Sequence, residues 1–442
     1  MGHKAPFRCA SYARPVRARS AQQWHAGAEL LNADGIPALV VTSVATGDRG
    51  ALVDLLPERD PLAWVHLGDG LVGWGVAARL QASGANRFRD ADRWWRELVA
   101  RADVTDGVGA FGSGLVGFGS FGFADRPGSS VLVVPRIVVG RRDGTSWVTT
   151  VRAASAPALR PEALRTAVRP PCEVVFTDGA LSSPAWASAV AAAVARIADT
   201  DLEKVVLARD LVVSTGEPLD ARWPLTRLAE RYPSCWTFCV DGLFGATPEM
   251  LVRRHRGLVT SRVLAGTIRR TGNDERDLML AASLARSSKD LEEHEYAVRS
   301  VAEVLASHCS SMSVPETPFV LHLPNVMHLA TDVAGRIDSD TTALGLAEAL
   351  HPSAAVGGTP TTLALAAIDE LEGMSRDRYA GPVGWLDAAG DGEWGIALRC
   401  GLVDGDQVRL FAGCGIVADS DPETELVEAQ AKFVPVRDAL EG

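Results

Sequence analysis

Short apolar runs punctuated by Gly and Asp, followed by long helical stretches, constrain this chain more than any other feature. Before residue 175 the runs are Ala38–Ser43, Ala51–Leu56, Ala63–Leu67, Ser130–Val134 and Trp147–Arg152. After it, Ala180–Ala198 has helical character, Glu203–Val213 reads as a strand, and Met250–Arg254 with Leu258–Leu264 flank His255, Arg256 and Gly257 as a hairpin. A long helix is expected from about Asp274 to Ser307. Val383–Leu386, Trp394–Cys400 and Gln407–Ala412 follow as strands, and a final helix starts near Pro422. Hairpins mixed with long helices predict an α+β fold with large, mainly antiparallel sheets rather than a doubly wound parallel one. The Ala- and Pro-rich stretch Ala153–Pro171 reads as a poorly packed connection.

Composition excludes several function classes. The chain has 442 residues, with 44 Lys+Arg against 55 Asp+Glu and a net charge of −11. Such an acidic balance argues against nonspecific nucleic-acid or anionic-membrane binding. No apolar run approaches the roughly 20 residues of a membrane span. Arg8, Arg14, Arg17 and Arg19 precede no hydrophobic stretch, so residues 1–20 read as a loose tail rather than a secretory signal. Seven scattered cysteines, with one CxxxC pair at Cys235 and Cys239, read as small buried thiols in a reducing cytoplasm.

Two glycine patterns carry no nucleotide site. Gly68, Gly70 and Gly73 match GxGxxG between a strand-like run and a helix-like Val76–Ala82, but no acidic strand end follows about 20 residues later. Gly112, Gly114 and Gly117 match again, yet Phe118–Ala124 continues as a strand. Turns and close backbone packing account for both.

Five places hold residues able to do chemistry. Lys204 shares a strand face with Val206 and Ala208; lost hydration there favours the neutral, basic amine, whereas an edge-strand lysine would simply point to water. Glu249, after Thr247-Pro248, opens a strand and becomes a general acid if burial raises its pKa; otherwise it is a turn residue. Leu264-Ala265-Gly266-Thr267 offers small side chains and open amides, or a plain turn. On the long helix, His294 lies near the centre of the apolar stripe through Val298, Val301, Ala302 and Leu305, with Glu293 and Glu295 at its margins. Glu425, Glu428 and Lys432, at i, i+3 and i+7, share one face of the last helix. Two carboxylates beside an ammonium suit Mg²⁺ and an anionic substrate, or a surface ion-pair face. The residues alone therefore reach a carboxylate–metal site with a lysine base, and no further.

Ten segments in order carry a family resemblance: LEKVVLAR (Leu202–Arg209), TPEMLV (Thr247–Val252), SRVLAGT (Ser261–Thr267), KDLEEHEYAV (Lys289–Val298), HLATDVAG (His328–Gly335), HPSAAVGGTP (His351–Pro360), YAGPVGW (Tyr379–Trp385), ALRC (Ala397–Cys400), FAGCGIV (Phe411–Val417) and ELVEAQAKF (Glu425–Phe433). Together they resemble the chorismate-binding enzymes, which include isochorismate, salicylate, anthranilate and aminodeoxychorismate synthases. The resemblance implies a catalytic region at 176–440, a variable N-terminal part at 21–175, and one cleft between the sheets. It implies that Glu293 and Glu428 hold Mg²⁺ and that Glu425 supports them through water. Tyr379 and Arg399 would bind the enolpyruvyl carboxylate, with Gly266–Thr267, Gly413–Gly415 and Lys432 completing the anion cradle.

Within the family the nucleophile decides the product. KVVLAR and HPSAAVGGTP resemble the isochorismate branch of the actinobacterial menaquinone type, with Ala355 and Val356 beside the substrate. This implies that Lys204 activates water and Glu249 protonates the leaving hydroxyl, in a monomer that needs no glutaminase subunit. Salicylate synthase, which expels pyruvate from isochorismate, is the nearest alternative. An ammonia-using aminodeoxychorismate or anthranilate synthase is the next. A silent chorismate-binding subunit is disfavoured by the intact base, acid and carboxylates. His328 has no assigned role beyond a place near the metal. Menaquinone assembly is the expected route, with siderophore assembly as the alternative.

Overall fold

The computed structural model describes residues 36–125, 129–157 and 166–442. The expected tail, 1–20, lies outside the described residues, as does 158–165 of the expected connection. Among the described residues, two sheets of thirteen and ten strands carry the fold, and every pairing is antiparallel except that of Leu39–Thr46 with Asp103–Asp106. Each sheet mixes strands from before and after residue 175. In the larger, Leu62–His66 hydrogen-bonds to Trp236–Val240; in the smaller, Val116–Ser120 pairs with Pro382–Asp387. The composition shift therefore does not separate two cores, and the α+β, mainly antiparallel expectation holds.

Local sequence explains most elements. The hairpin of Met250–His255 and Leu258–Arg269 closes on Arg256 and Gly257, both at positive φ. The last helix, Pro422–Glu441, starts where Asp421 accepts a hydrogen bond from the Thr424 N–H and Pro422 occupies the first turn. The expected long helix is instead two, Asp274–Leu284 and Ser288–Ala306. The first ends with Ala285 as its C-cap, and Ser287 caps the second, its hydroxyl accepting from the Asp290 N–H. Ala51–Leu56 is also not a strand: Leu52–Leu55 forms a 3₁₀ turn that buries Leu52, Val53 and Leu55, because a short apolar run has no period to separate the two. The helix-like Val76–Ala82 is likewise a strand, Ala78–Ala82, on Ser130–Val134. Leu67 and Gly68 turn the hairpin before it, both at positive φ, and in its second strand a Cβ on Gly70 would stand 2.1 Å from the Trp64 carbonyl.

The strand Lys204–Ser214 pairs over ten positions with Gln407–Ile416. Its opposite edge is only partly covered by strands, and side chains complete it. The Trp186 indole, wholly buried on the helix Ser183–Asp199, donates to the Ala208 carbonyl at 3.1 Å. Trp186→Phe orphans that carbonyl and is expected to cost about 1–3 kcal/mol; urea unfolding measures it, and an unchanged midpoint would remove the indole from this role.

Candidate active site

One cavity of about 590 Å³, measured out to its mouth, opens where the ends of both sheets meet the two carboxylate-bearing helices. From the larger sheet, Val206 forms one wall with Gly413 and Gly415 of the partner strand. From the smaller sheet, Leu264–Thr267 and His328 form the facing wall. Glu293 and Lys432 enter from the helices Ser288–Ala306 and Pro422–Glu441, while Ala355, Val356, Tyr379 and Arg399 come from connecting segments.

Lys204 is fully buried and lies just behind this wall rather than on it. Its Nζ stands 3.2 Å from the Glu293 carboxylate. Gly415 makes that pair possible, since a Cβ there would stand 2.2 Å from Glu293 Oε1 and 3.0 Å from Lys204 Cε. The lysine thus shares the buried face with Val206, as its alternation predicts. Lys204 and other lysines hold the Glu293 carboxyl below its ordinary pKa against the opposing effect of burial, which is the larger single influence.

Glu249 lines the cavity and is 4% exposed. Burial pushes its carboxyl up to about 8, although Lys204 and Arg399 pull the other way. It therefore carries its proton at neutral pH. Gly266 is a bulge in the strand Leu258–Arg269 rather than a turn: the register with Val326–Arg336 slips between Ala265 and Thr267, and Gly266 takes φ +77°. Thr267 then reaches His328, Oγ1 to Nδ1 at 3.1 Å, while Arg399 donates to His328 Nε2 at 3.1 Å. Burial and the Arg399 charge hold His328 well below its ordinary pKa, so a neutral imidazole fixes the guanidinium. Arg399 itself has φ +48°, a sparsely populated backbone state of the kind found at functional sites.

Glu425 and Glu428 lie beside the cavity, not on its surface. Glu425 accepts from Lys289 Nζ and Ser420 Oγ, both at 2.9 Å. Glu428 pairs with Lys432 at 2.6 Å, and Lys432 also donates to the Gly413 carbonyl at 2.9 Å. Ligand atoms of Cys414, Glu425 and Glu428 lie within 4.8 Å of one another. Each of the three carboxylates expected at the metal site thus has its own lysine. His294 is buried with Nε2 2.8 Å from Thr331 Oγ1, a core histidine tying its helix to the sheet.

The sequence profile described as chorismate binding enzyme matches residues 67–441. The chain belongs to the chorismate-binding enzymes. Isochorismate synthase MenF of Bacillus subtilis is 34% identical over 315 residues, 70% of this chain and 66% of that protein. The salicylate biosynthesis isochorismate synthase of Pseudomonas aeruginosa is 32% identical over 83% of this chain and 82% of its own length. Among solved structures, a putative 2,3-dihydroxybenzoate-specific isochorismate synthase from Bacillus anthracis superposes with TM-score 0.74 at 30% identity, over 88% of this chain and 98% of that one. The menaquinone-specific isochorismate synthase from Escherichia coli gives 0.75 at 25% identity, over 92% and 96%. The chain spans about two thirds of the length of the first curated relatives it matches.

Eleven of the fourteen expected site residues line the cavity, with Lys204, Glu425 and Glu428 directly behind it. Sequence reasoning missed Lys289, Ser420 and Arg376. Lys289 had a local signal, four residues before Glu293 on the same helix face. Ser420 and Arg376 had none.

A carboxyl raised from 4.5 to about 8 costs stability above pH 4.5, because the unfolded chain releases that proton and the folded one keeps it. The penalty grows until pH passes about 8. Glu249→Gln removes it, so the variant is expected to melt above the wild type at pH 9 and to converge with it toward pH 5. A gap independent of pH would show that Glu249 is not the group responsible.

Proposed function

We propose that the chain converts chorismate to isochorismate by adding water at C2 of the ring and losing the C4 hydroxyl. The observation that carries this reading is a buried carboxyl, Glu249, on the cavity surface with an amine, Lys204, wholly buried behind the same cavity wall. One supplies a general acid and the other a base for water, each worth roughly 10²–10⁴-fold.

The substrate is a dianion in an acidic chain, so local cations do the attracting. Arg399, oriented by His328, presents its fork to the enolpyruvyl carboxylate beside the Tyr379 hydroxyl. Lys432 and the amides around Gly266–Thr267 and Gly413–Gly415 complete the cradle. Ala355 and Val356 bound the ring. Once Glu293 turns away and the Lys204 ammonium has released its proton to solvent, the neutral amine takes a proton from water as the water oxygen bonds to C2. The ring double bonds shift, and Glu249 gives its proton to the departing C4 oxygen, which leaves as water.

Glu425 and Glu428, whose carboxylates lie together on one helix, fit a magnesium ion in donor chemistry, while Glu293 stands outside that close group and faces Lys204. Burial pushes the Cys414 thiol well up, so it adds no competing soft ligand. Glu293 and Glu428 would hold the ion and Glu425 would support it. When bound, the ion supplies positive charge for the ring carboxylate. For the product's route we propose quinone assembly, on the likeness to the menaquinone-specific enzyme of Escherichia coli, with siderophore assembly as the alternative on the likeness to the 2,3-dihydroxybenzoate-specific enzyme.

Chorismate, Mg²⁺ and protein in ¹⁸O-labelled water are expected to yield an isomer of chorismate carrying one solvent oxygen, read by mass spectrometry. Salicylate with pyruvate, or an aminated product dependent on ammonia, would replace this reading. Lys204→Ala is expected to abolish conversion while chorismate still binds by calorimetry; near wild-type turnover would sink the base assignment. Glu428→Gln is expected to raise the Mg²⁺ concentration for half-maximal rate by about tenfold or more, and an unchanged requirement removes Glu428 from the metal.

A further inference from the structure

The open edge of the strand Lys204–Ser214 is where an unassigned pair of residues acts. The short strand Gly358–Thr359 covers Lys204 and Val205, and Val175–Asp178 covers the strand from Leu211 onward. Between them, Val206 and Ala208 find their edge partners elsewhere. The Ala208 N–H donates to Glu372 Oε1 at 2.7 Å, and the Val206 N–H donates to the Gly357 carbonyl at 2.9 Å. Arg376 fills the remaining place. It grips Glu372 through two hydrogen bonds, at 2.9 and 2.5 Å, and donates to the carbonyls of Val206 at 2.7 Å and Val356 at 2.8 Å. Both side chains of the pair are almost wholly buried.

Those two carbonyls belong to residues on different walls of the cavity, and Arg376 also borders the cavity itself. Its own carbonyl accepts from the Tyr379 N–H at 2.9 Å, a third lining residue. A guanidinium can do this because its rigid, planar fork presents five donors at once; a lysine cannot.

We infer that the Glu372–Arg376 pair is a positioning device that holds the Val356 wall against the Lys204 strand and so sets the width of the cavity around its substrate. This rests on the chorismate reading above. Neither side chain takes part in the proton transfers: Arg376 is a positioning residue, with four of its five N–H donors already committed within the protein.

The test compares wild type with Glu372→Leu/Arg376→Met, a double replacement that removes both charges and keeps volume, which buried ion pairs often tolerate. Circular dichroism and melting establish folding, and chorismate kinetics give the readout. A folded double variant is expected to raise KM by about tenfold or more with kcat far less affected, because a displaced wall weakens ground-state and transition-state binding alike. Arg376→Lys keeps the charge against Glu372 but cannot span both carbonyls; it is expected to fold with an intermediate KM, and it carries the test if the double variant does not fold. A folded variant with wild-type KM, its only change a lower melting temperature, overturns the assignment. A wild-type chain that neither binds nor converts chorismate overturns the functional reading and this inference together.

Discussion

The ten-position ladder between Lys204–Ser214 and Gln407–Ile416 is the constraint on which the site depends. Its register sets Gly415 opposite Val206 and Gly413 opposite Ala208. A side chain at 415 would occupy the space in which Lys204 meets Glu293, and one at 413 would press on the Leu207 carbonyl and the Tyr379 hydroxyl. Slipping the ladder by one residue would turn Lys204 to the opposite face. The register that builds the sheet is therefore also the one that builds the site.

Charge is the second organising quantity. Glu293, Glu425 and Glu428 converge on one region, and Lys204, Lys432 and Lys289 lie against them. Unpaired carboxylates this close would repel one another and pay for desolvation besides. Glu249 stands apart from that arrangement: no lysine pairs with it directly, burial dominates, and it keeps its proton. Two carboxylates of the same cavity, Glu249 and Glu293, thus reach opposite protonation states because one has a cation in contact and the other does not.

Much of the architecture was legible where the cause is local. The Arg256-Gly257 turn, the Asp421-Pro422 helix start and the i, i+3, i+7 face of Glu425, Glu428 and Lys432 all follow from neighbours within a few residues. The failures also have local reasons. Ser287 interrupts an apolar stripe that otherwise continues in phase, and Leu52–Leu55 is too short for its period to distinguish a turn from a strand. At Gly266, a bulge and a turn demand the same positive φ, so only the partner strand Val326–Arg336 distinguishes them.

By itself the sequence determined which residue types stood ready: a lysine on an apolar strand face, a carboxylate at a strand mouth, two acids and a lysine on one helix face, and ten ordered segments of family resemblance. Tertiary structure alone decided what each of them meets. Lys204 and Glu293 are 89 positions apart, and Arg376 reaches a carbonyl 170 positions away. Contacts of that span depend on sheet register and helix docking, and no spacing along the chain encodes them. Burial, which raises Glu249 and leaves Lys204 facing a carboxylate, is likewise a property of the packed whole.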